Sequence, residues 1–296
     1  MSFSRLAPGL FVLLWSTGWV VAKYAAPHAD ALTFLSVRFA CAFVVVGAFS
    51  LAMSARWPKG RRALGEAAFS GMLLHAMYLG SVWWAIGQGV PAALSGLIAA
   101  LQPLLTVISA PYVVGERLSR QQIFGIVLGF AGLIVAILPD LFLLDGSALT
   151  GKSLPIGLNI LGMVAVTAGS LYQKKRFQTG DLGPISALQY LGAFIVTLPV
   201  AYLVEDMRID FSPQFFLALA WSVFGLSFGA VALYLYLIRR GQVSRAASLI
   251  YLVPPVVALQ TFSFFGERLS PAMIIGTLIV VLGVYLCNRP AIPPVR

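Results

Sequence analysis

The five-residue sequence GERLS occurs twice in the chain, at residues 115–119 and again at residues 266–270. The two copies are 151 positions apart in a chain of 296 residues. A repeat at a fixed offset indicates the architecture before any local pattern is considered. The same offset pairs further residues around the two copies: Pro103 with Pro254, Gly125 with Gly276, Gly132 with Gly283, and Pro139 with Pro290. We therefore predict two similar halves, residues 1–144 and 145–296.

The composition indicates a protein that is surrounded by lipid. The chain is 59% hydrophobic and only 10% charged, with a mean hydropathy of +0.91. Soluble domains carry about 25% charged residues. The 28 glycines and 17 prolines also fit membrane helices, which tolerate both residues. These values predict an all-α, multi-pass integral membrane protein of the inner (cytoplasmic) membrane, with the lipid bilayer as its partner.

Ten segments are long and apolar enough for a bilayer crossing, which takes about 20 residues. The first has the outline of a signal peptide, but so much membrane sequence follows that we interpret it as a retained span. The predicted spans are residues 9–26, 31–54, 63–87, 91–114, 121–139, 154–173, 183–204, 213–238, 243–265 and 271–288.

The loops between these spans differ in charge on the two sides of the membrane. Fifteen of the 20 lysines and arginines fall in loops or at the ends of spans on one side and three on the other, while Lys23 and Arg38 lie deeper within spans. Because basic loops stay in the cytoplasm, this asymmetry predicts cytoplasmic N- and C-termini. It also accounts for the net charge of +10 without nucleic acid as a partner.

Each half holds five predicted spans, so the second half must enter the membrane from the opposite side. Inverted repeats are typical of secondary transporters, whose substrate site lies between the halves. The GERLS sequence marks the corner between the fourth and fifth spans of each half. Ser119, with Gln122 at capping-box spacing, and Ser270, followed by Pro271, are predicted to begin the next helix.

Each corner also carries a glutamate, Glu116 in the first half and Glu267 in the second. We interpret both as structural charges that pair with an arginine or with backbone amides. A gating role is the alternative.

Three segments resemble the drug/metabolite transporter superfamily, specifically its EamA-type exporters: "GIVLGFAGLIVA" from Gly125, "GTLIVVLGVYL" from Gly276 and "WSTGWVVAKYA" from Trp15. The second segment has Val280 where the family pattern has a glycine. The resemblance implies a ten-helix bundle around a central cavity, with the fifth and tenth spans packed peripherally. Within the family, the chain is most similar to aromatic amino acid exporters, but fold alone does not define the substrate.

Polar groups inside a membrane are costly and face a cavity or a partner. Trp15, Trp19 and Lys23 follow one another at steps of four on the first span, on one helix face. We predict that they contact substrate. The tryptophans could instead anchor in the lipid interface, and Lys23 could extend toward the membrane surface.

The third and fourth spans supply further candidates. His75 and Tyr78 lie three residues apart, and Ser95, Gln102 and Ser109 follow at steps of seven as a polar stripe on an apolar helix. Arg38 is expected to contact backbone carbonyls or a helix C-terminus rather than a ligand. The second half adds Tyr234, Ser248 and Tyr251 as substrate-binding candidates and Asn159 as a polar group in the sixth span.

No aspartate or glutamate falls in the middle of a predicted span. Because ion coupling usually uses an intramembrane carboxylate, we expect facilitated export of neutral and aromatic amino acids and related small metabolites by alternating access. A proton-coupled drug/metabolite exporter and a transporter of anionic metabolites such as sugar phosphates are the alternatives. The sequence carries no enzyme, metal or nucleotide motif, so we expect no catalytic residues, no cofactor and no metal, and no obligate protein partner is evident.

Overall fold

The computed structural model describes residues 3–114, 119–142, 151–177, 180–230, 233 and 252–288. Within these residues the chain is helical, apart from one isolated antiparallel bridge between Ala29 and Ile209. The all-α prediction is thereby confirmed for the described residues.

The helices follow one another with short connections. Residues 61–87 form one continuous helical rod in which a π-helical turn, π1, joins α3 to α4. A second π-helical segment, π2, continues α10. The elements are α1 (Phe3–Ala25), α2 (Ala31–Ala52), α3 (Arg61–Gly71), π1 (Met72–Met77), α4 (Tyr78–Gly87), α5 (Ala92–Ile98), α6 (Leu101–Val114), α7 (Arg120–Phe142), α8 (Ser153–Arg176), α9 (Leu182–Val204), α10 (Pro213–Ala220), π2 (Trp221–Ala230), α11 (Val253–Phe265) and α12 (Pro271–Asn288).

Six helical segments of the described chain are long and apolar enough to cross a membrane. Four shorter apolar helices lie within α1, α7 and α12 and over the whole of α11. The count of ten spans, the inverted repeat and the boundary between the halves stay predictions. The six are Ala31–Ala52, Arg61–Gly87, Ala92–Ser109, Ser153–Arg176, Leu182–Val204 and Pro213–Ala230.

The predicted helix starts after the two GERLS sequences are confirmed. Ser119 accepts a hydrogen bond from the Gln122 amide at 3.2 Å, and the Gln122 side chain accepts one from the Ser119 amide at 2.8 Å, which closes a capping box. Ser270 accepts from the Met273 amide at 3.1 Å at the start of α12. Gly266 ends α11 with a φ of 65°, a left-handed conformation that glycine adopts without strain.

The two glycine-rich helices, α7 and α12, pack against each other. A Cβ atom on Gly132 would lie 2.8 Å from the Gly276 carbonyl oxygen, and one on Gly276 would lie 2.5 Å from the Gly132 oxygen. A Cβ on Gly283 would lie 2.7 Å from the Gly125 oxygen. Small residues allow this backbone approach in membranes. Large apolar side chains on the other faces of both helices, such as Val127 and Leu278, are exposed.

A second close crossing brings α9 against the rod of residues 61–87. A Cβ on Gly71 would collide with the Gln189 backbone, and one on Gly192 would collide with the Ala68 backbone. Gly71 immediately precedes π1. This crossing therefore sets the position of π1 relative to α9, and with it the position of His75.

Candidate functional site

A buried polar cluster joins α1, α5 and α8. Trp19 Nε1 donates to Ser95 Oγ at 3.2 Å, and Asn159 Nδ2 donates to the same oxygen at 2.7 Å. All three side chains are buried, and Asn159 Oδ1 has no hydrogen-bond partner among the described residues. The cluster, called here the Ser95 cluster, connects the two predicted halves through one hydroxyl group.

Lys23, one turn beyond Trp19, forms an ion pair with Glu267. The two oxygens of Glu267 also accept from the amides of Ala92 and Ala93, each at 3.2 Å, at the start of α5. The Lys23 ammonium lies 5.1 Å from the centre of the Phe265 ring. Glu267 therefore has backbone amides as partners, but its cation is a lysine rather than the expected arginine.

The corner position gives Glu267 a low pKa. Burial alone would raise the pKa, but the hydrogen bonds from Lys23, Ala93 and Ala92 outweigh burial and hold the pKa of Glu267 below its usual value. The carboxylate is thus charged at neutral pH and remains a partner for Lys23.

A second cluster surrounds Arg38, which is only 5% exposed. Its Nε and Nη2 atoms lie 3.4 and 3.3 Å from Ser227 Oγ, and its guanidinium lies 5.6 Å from the centre of the Trp83 ring. Tyr78 and Tyr190 are close enough to interact with the charge. None of the expected contacts of Arg38 with backbone carbonyls occurs among its hydrogen bonds to described residues.

Aromatic rings complete this cluster. His75 stacks on Tyr190 with ring centres 4.6 Å apart, and Phe39 lies 6.0 Å from His75. The Tyr190 hydroxyl donates to the Ser227 carbonyl at 3.2 Å. The Arg38 cluster therefore comprises Arg38, His75, Tyr78, Trp83, Tyr190 and Ser227, from α2, π1, α4, α9 and π2.

The described contacts compensate the Arg38 charge only in part. A cation–π contact contributes about 0.5 to 2 kcal/mol, and the two hydrogen bonds are long and share one acceptor. Removing an ion from water costs several kcal/mol. No described aspartate or glutamate forms an ion pair with Arg38.

The other predicted site residues make fewer polar contacts with described residues. Trp15 is half-buried and lies 5.5 Å from the Phe11 ring. Gln102 is half-buried, and its side chain makes no hydrogen bond to a described residue. Tyr78 is buried beside Arg38. Tyr234, Ser248, Tyr251 and Glu116 lie outside the described residues.

The polar stripe predicted along the fourth span is interrupted. Helix α5 ends at Ile98 and α6 begins at Leu101, so Ser95 and Gln102 lie on different helices. The Ser109 hydroxyl donates to the Leu105 carbonyl at 2.8 Å, within its own helix. A regular step of seven assumes an unbroken helix, and here two turn residues, Ala99 and Ala100, separate α5 from α6 before Pro103.

Sequence reasoning missed Trp83, Tyr190 and Ser227. Each lies inside a predicted span, where a polar atom needs a partner. Tyr190 follows Gln189, an uncharged polar residue in the same span, and this pair was a usable signal. Ser227 had none, because serine is common in membrane helices.

Comparisons with known proteins agree with this architecture. The sequence profile of the EamA-like transporter family matches residues 9–138 and 154–289. The chain is 29% identical over 311 residues to the "Uncharacterized inner membrane transporter YedA" of Escherichia coli (strain K12), covering 100% of this chain and 98% of that protein. It is 24% identical over 291 residues to a "Probable amino-acid metabolite efflux pump" of Salmonella typhimurium, covering 94% of this chain and 92% of that protein.

A solved crystal structure has the same fold. It superposes with a TM-score of 0.65 at 19% sequence identity and covers 96% of both chains. The family match spans both parts of the chain, and the buried clusters lie within apolar helices of the kind that cross a membrane. This chain belongs to the EamA-like transporter family, and it is a multi-pass inner-membrane transporter of small molecules.

Proposed function

We propose that the protein exports neutral amino acids, aromatic ones among them, and related small metabolites from the cytoplasm, by alternating access and without ion coupling. The observation that carries this proposal is the chemistry of the buried polar groups. Among the described residues they are serines, threonines, one asparagine, one glutamine and one arginine, with no carboxylate. Uncharged hydrogen-bonding groups beside aromatic rings suit amphipathic, neutral solutes.

Alternating access is supported by the pairing of the two glycine-rich helices. Gly125 corresponds to Gly276 at the 151-residue offset, and Gly132 corresponds to Gly283. The contacts observed are Gly132 with Gly276 and Gly125 with Gly283. Exchanging the two halves exchanges these two contacts, as expected across a twofold axis. Two similar halves in opposite orientations offer two interchangeable conformations, each open to one side.

Facilitated movement is supported by the groups that are unavailable for ion coupling. The predicted spans contain no central carboxylate, and Lys23 is engaged by Glu267. His75 is the remaining in-span side chain of a type that commonly carries protons, and it is packed against Tyr190 and Phe39. Proton coupling through His75 is the alternative mechanism.

An anionic cargo such as a sugar phosphate is less well supported. A doubly charged phosphate calls for several cations in the cavity. Apart from Arg245, which lies at the very start of the ninth predicted span, Lys23 and Arg38 are the lysines and arginines within the predicted spans, and Lys23 is neutralised by Glu267. A neutral amino acid carries only one carboxylate, so it needs fewer cations in the site. The efflux pump of Salmonella typhimurium is named for amino-acid metabolites, which agrees with this assignment.

Uptake of labelled phenylalanine and threonine into proteoliposomes tests the proposal. We expect saturable uptake, and counterflow that persists with no pH or sodium gradient. Gln102→Ala and Trp15→Ala should lower uptake about tenfold or more if both side chains face the cargo. Gln88→Ala is the matched control, because Gln88 is exposed beyond the end of α4. Strict dependence on an imposed gradient would reject facilitated movement, and absence of uptake under every gradient would reject amino acids as the cargo.

A further inference from the structure

The Arg38 cluster holds a buried cation for which the described chain supplies no anion. The described acids are placed elsewhere: Glu205 caps the start of α2 through the Leu32 and Thr33 amides, and Glu267 engages Lys23. Asp210 contacts His28, and Glu66 contacts Arg62 and Arg176. Three further acids whose side chains the structure describes are also placed elsewhere: Asp30 pairs with Arg208, Asp181 accepts from the Arg56 amide, and Asp206 is exposed.

Several donors of the cluster are also unused. Arg38 Nη1, the Tyr78 hydroxyl and the ring N–H of His75 make no hydrogen bond to a described residue. None of these atoms is among the fully buried side-chain atoms that lack a partner, so each is accessible to a group from outside the described chain. Unused donors that converge on one buried cation are therefore typical of a site that takes an acceptor from outside the chain.

The backbone around the cluster points in the same direction. His75 lies on π1 and Ser227 lies on π2, so the two described π-helical segments both contribute to the cluster. A π-helical turn costs backbone stability and occurs frequently at functional sites. The Gly71 and Gly192 crossings hold π1 against α9, where Tyr190 stacks on His75.

We propose that Arg38 binds the carboxylate of the transported amino acid, with the Tyr78 hydroxyl as a second donor and the aromatic rings of the cluster as apolar walls. This inference rests on the proposed function, because it takes an amino acid as the cargo. A guanidinium offers parallel N–H donors that match a carboxylate. The Trp83 and Tyr190 rings give broad apolar contact without selecting one side chain. The proposed site recognises the carboxylate, which all amino acids share.

A binding series with three probes of the same ring tests this site in the purified full-length protein. L-Phenylalanine and phenylacetate carry a carboxylate, and phenethylamine does not. Calorimetric titration should show phenethylamine binding about 10- to 100-fold more weakly than the two carboxylates, the loss expected for one charge-assisted contact. Phenylalanine binding more tightly than phenylacetate would show that the site reads an amino acid rather than any aromatic acid.

Two substitutions test whether Arg38 is responsible for the preference for carboxylate probes. Arg38→Gln should remove the preference for carboxylates, and Arg38→Lys should keep part of it, because the charge remains but the planar fork is lost. Arg62→Gln is the matched control, since the Arg62 side chain is 81% exposed on α3 and should leave all three affinities unchanged. If Arg38→Gln does not fold, a reduced preference in Arg38→Lys gives the same answer.

The outcomes separate this inference from the proposed function. Arg38-dependent binding of phenylacetate in a protein that transports no amino acid would support a carboxylate site and reject the proposed cargo. Amino acid transport with an unchanged carboxylate preference in Arg38→Gln would overturn the site and leave the function intact. Equal affinity of the wild-type protein for all three probes, or for none, would also overturn the site.

Discussion

The ion pair between Lys23 and Glu267 joins α1 to the corner between α11 and α12, across 244 positions of sequence. The same carboxylate caps the start of α5 through the Ala92 and Ala93 amides. One side chain from the second GERLS sequence therefore ties together two helices of the predicted first half. This places the two predicted halves in contact at the predicted outer surface of the membrane.

Replacing both members of this pair should lower the stability of the protein by less than the sum of the two single replacements. Glu267→Gln leaves Lys23 without its partner, and Lys23→Met leaves Glu267 with only the amides. Because Lys23 is about a third exposed, we expect a coupling of about 1 kcal/mol. Apparent unfolding temperatures in detergent for the four proteins of the cycle measure it.

The pair formed by the exposed Arg62 and the half-buried Glu66 supplies the control cycle. These residues lie one helical turn apart, and the Arg62 side chain is 81% exposed, so their coupling should be smaller, about 0.3 to 0.5 kcal/mol. Strict additivity of Lys23→Met and Glu267→Gln would show that the ion pair contributes nothing to stability.

The contribution of Glu267 should depend on pH in a defined direction. Its pKa in the folded protein lies below the usual value of 4.5. A carboxyl group with a lowered pKa stabilises the folded state above its unfolded pKa and loses that contribution as the pH falls through the folded pKa. The difference in unfolding temperature between the wild-type protein and Glu267→Gln should therefore stay constant from neutral pH to about 4.5 and shrink as the pH falls further, through the lowered pKa of the folded protein. A difference that grows on acidification would contradict the assigned direction of the shift.

The Ser95 cluster should behave as one unit. Ser95→Ala leaves the N–H groups of Trp19 and Asn159 buried without their acceptor, at a cost of about 1 to 3 kcal/mol for each unsatisfied group. Trp19→Phe should then destabilise the Ser95→Ala protein less than it destabilises the wild type. Thermal unfolding in detergent of these variants measures the difference.

Ser109→Ala is the matched control for this cluster. The Ser109 hydroxyl donates only to the Leu105 carbonyl of its own helix, among its bonds to described residues. Its removal should change stability by less than about 0.5 kcal/mol. Equal losses of stability for Ser95→Ala and Ser109→Ala would mean that the Ser95 cluster stabilises the fold no more than a hydroxyl bonded within its own helix.

Gly132→Ala should destabilise the packing of α7 on α12. The added methyl group would lie 2.7 Å from the Val280 backbone nitrogen, so the two helices must separate, at a cost of about 1 to 3 kcal/mol. Gly157→Ala is the control, because nothing lies within 4 Å of the added atom, and it should be neutral or stabilising by up to about 1 kcal/mol. Unfolding temperatures of the two proteins in detergent, and uptake by each, distinguish a packing effect from a general loss of folding.

The candidate site could be predicted from the sequence only in part. Trp19 and Ser95 stood out because a polar atom in an apolar span needs a partner, yet the hydrogen bond between them joins helices 76 positions apart. Arg38 was noticed for the same reason, but its expected contact with backbone carbonyls is not among its described hydrogen bonds. Contacts between distant helices depend on the angles at which helices cross and on the close approach that glycines allow, and neither can be derived from the spacing of residues within one helix.

The sequence by itself determined the membrane character, the all-helical class, the capping residues and the family. All of these depend on composition, hydrophobic length and short spacings, which act within one helix or one turn. Only the tertiary structure decided that Lys23 meets Glu267, that the α5–α6 break interrupts the polar stripe, and that Arg38 lies among aromatic rings beside Ser227. The physical reason is that a buried charge or polar group is satisfied by whichever helix packs against it, and that neighbour is set by the fold of the whole chain.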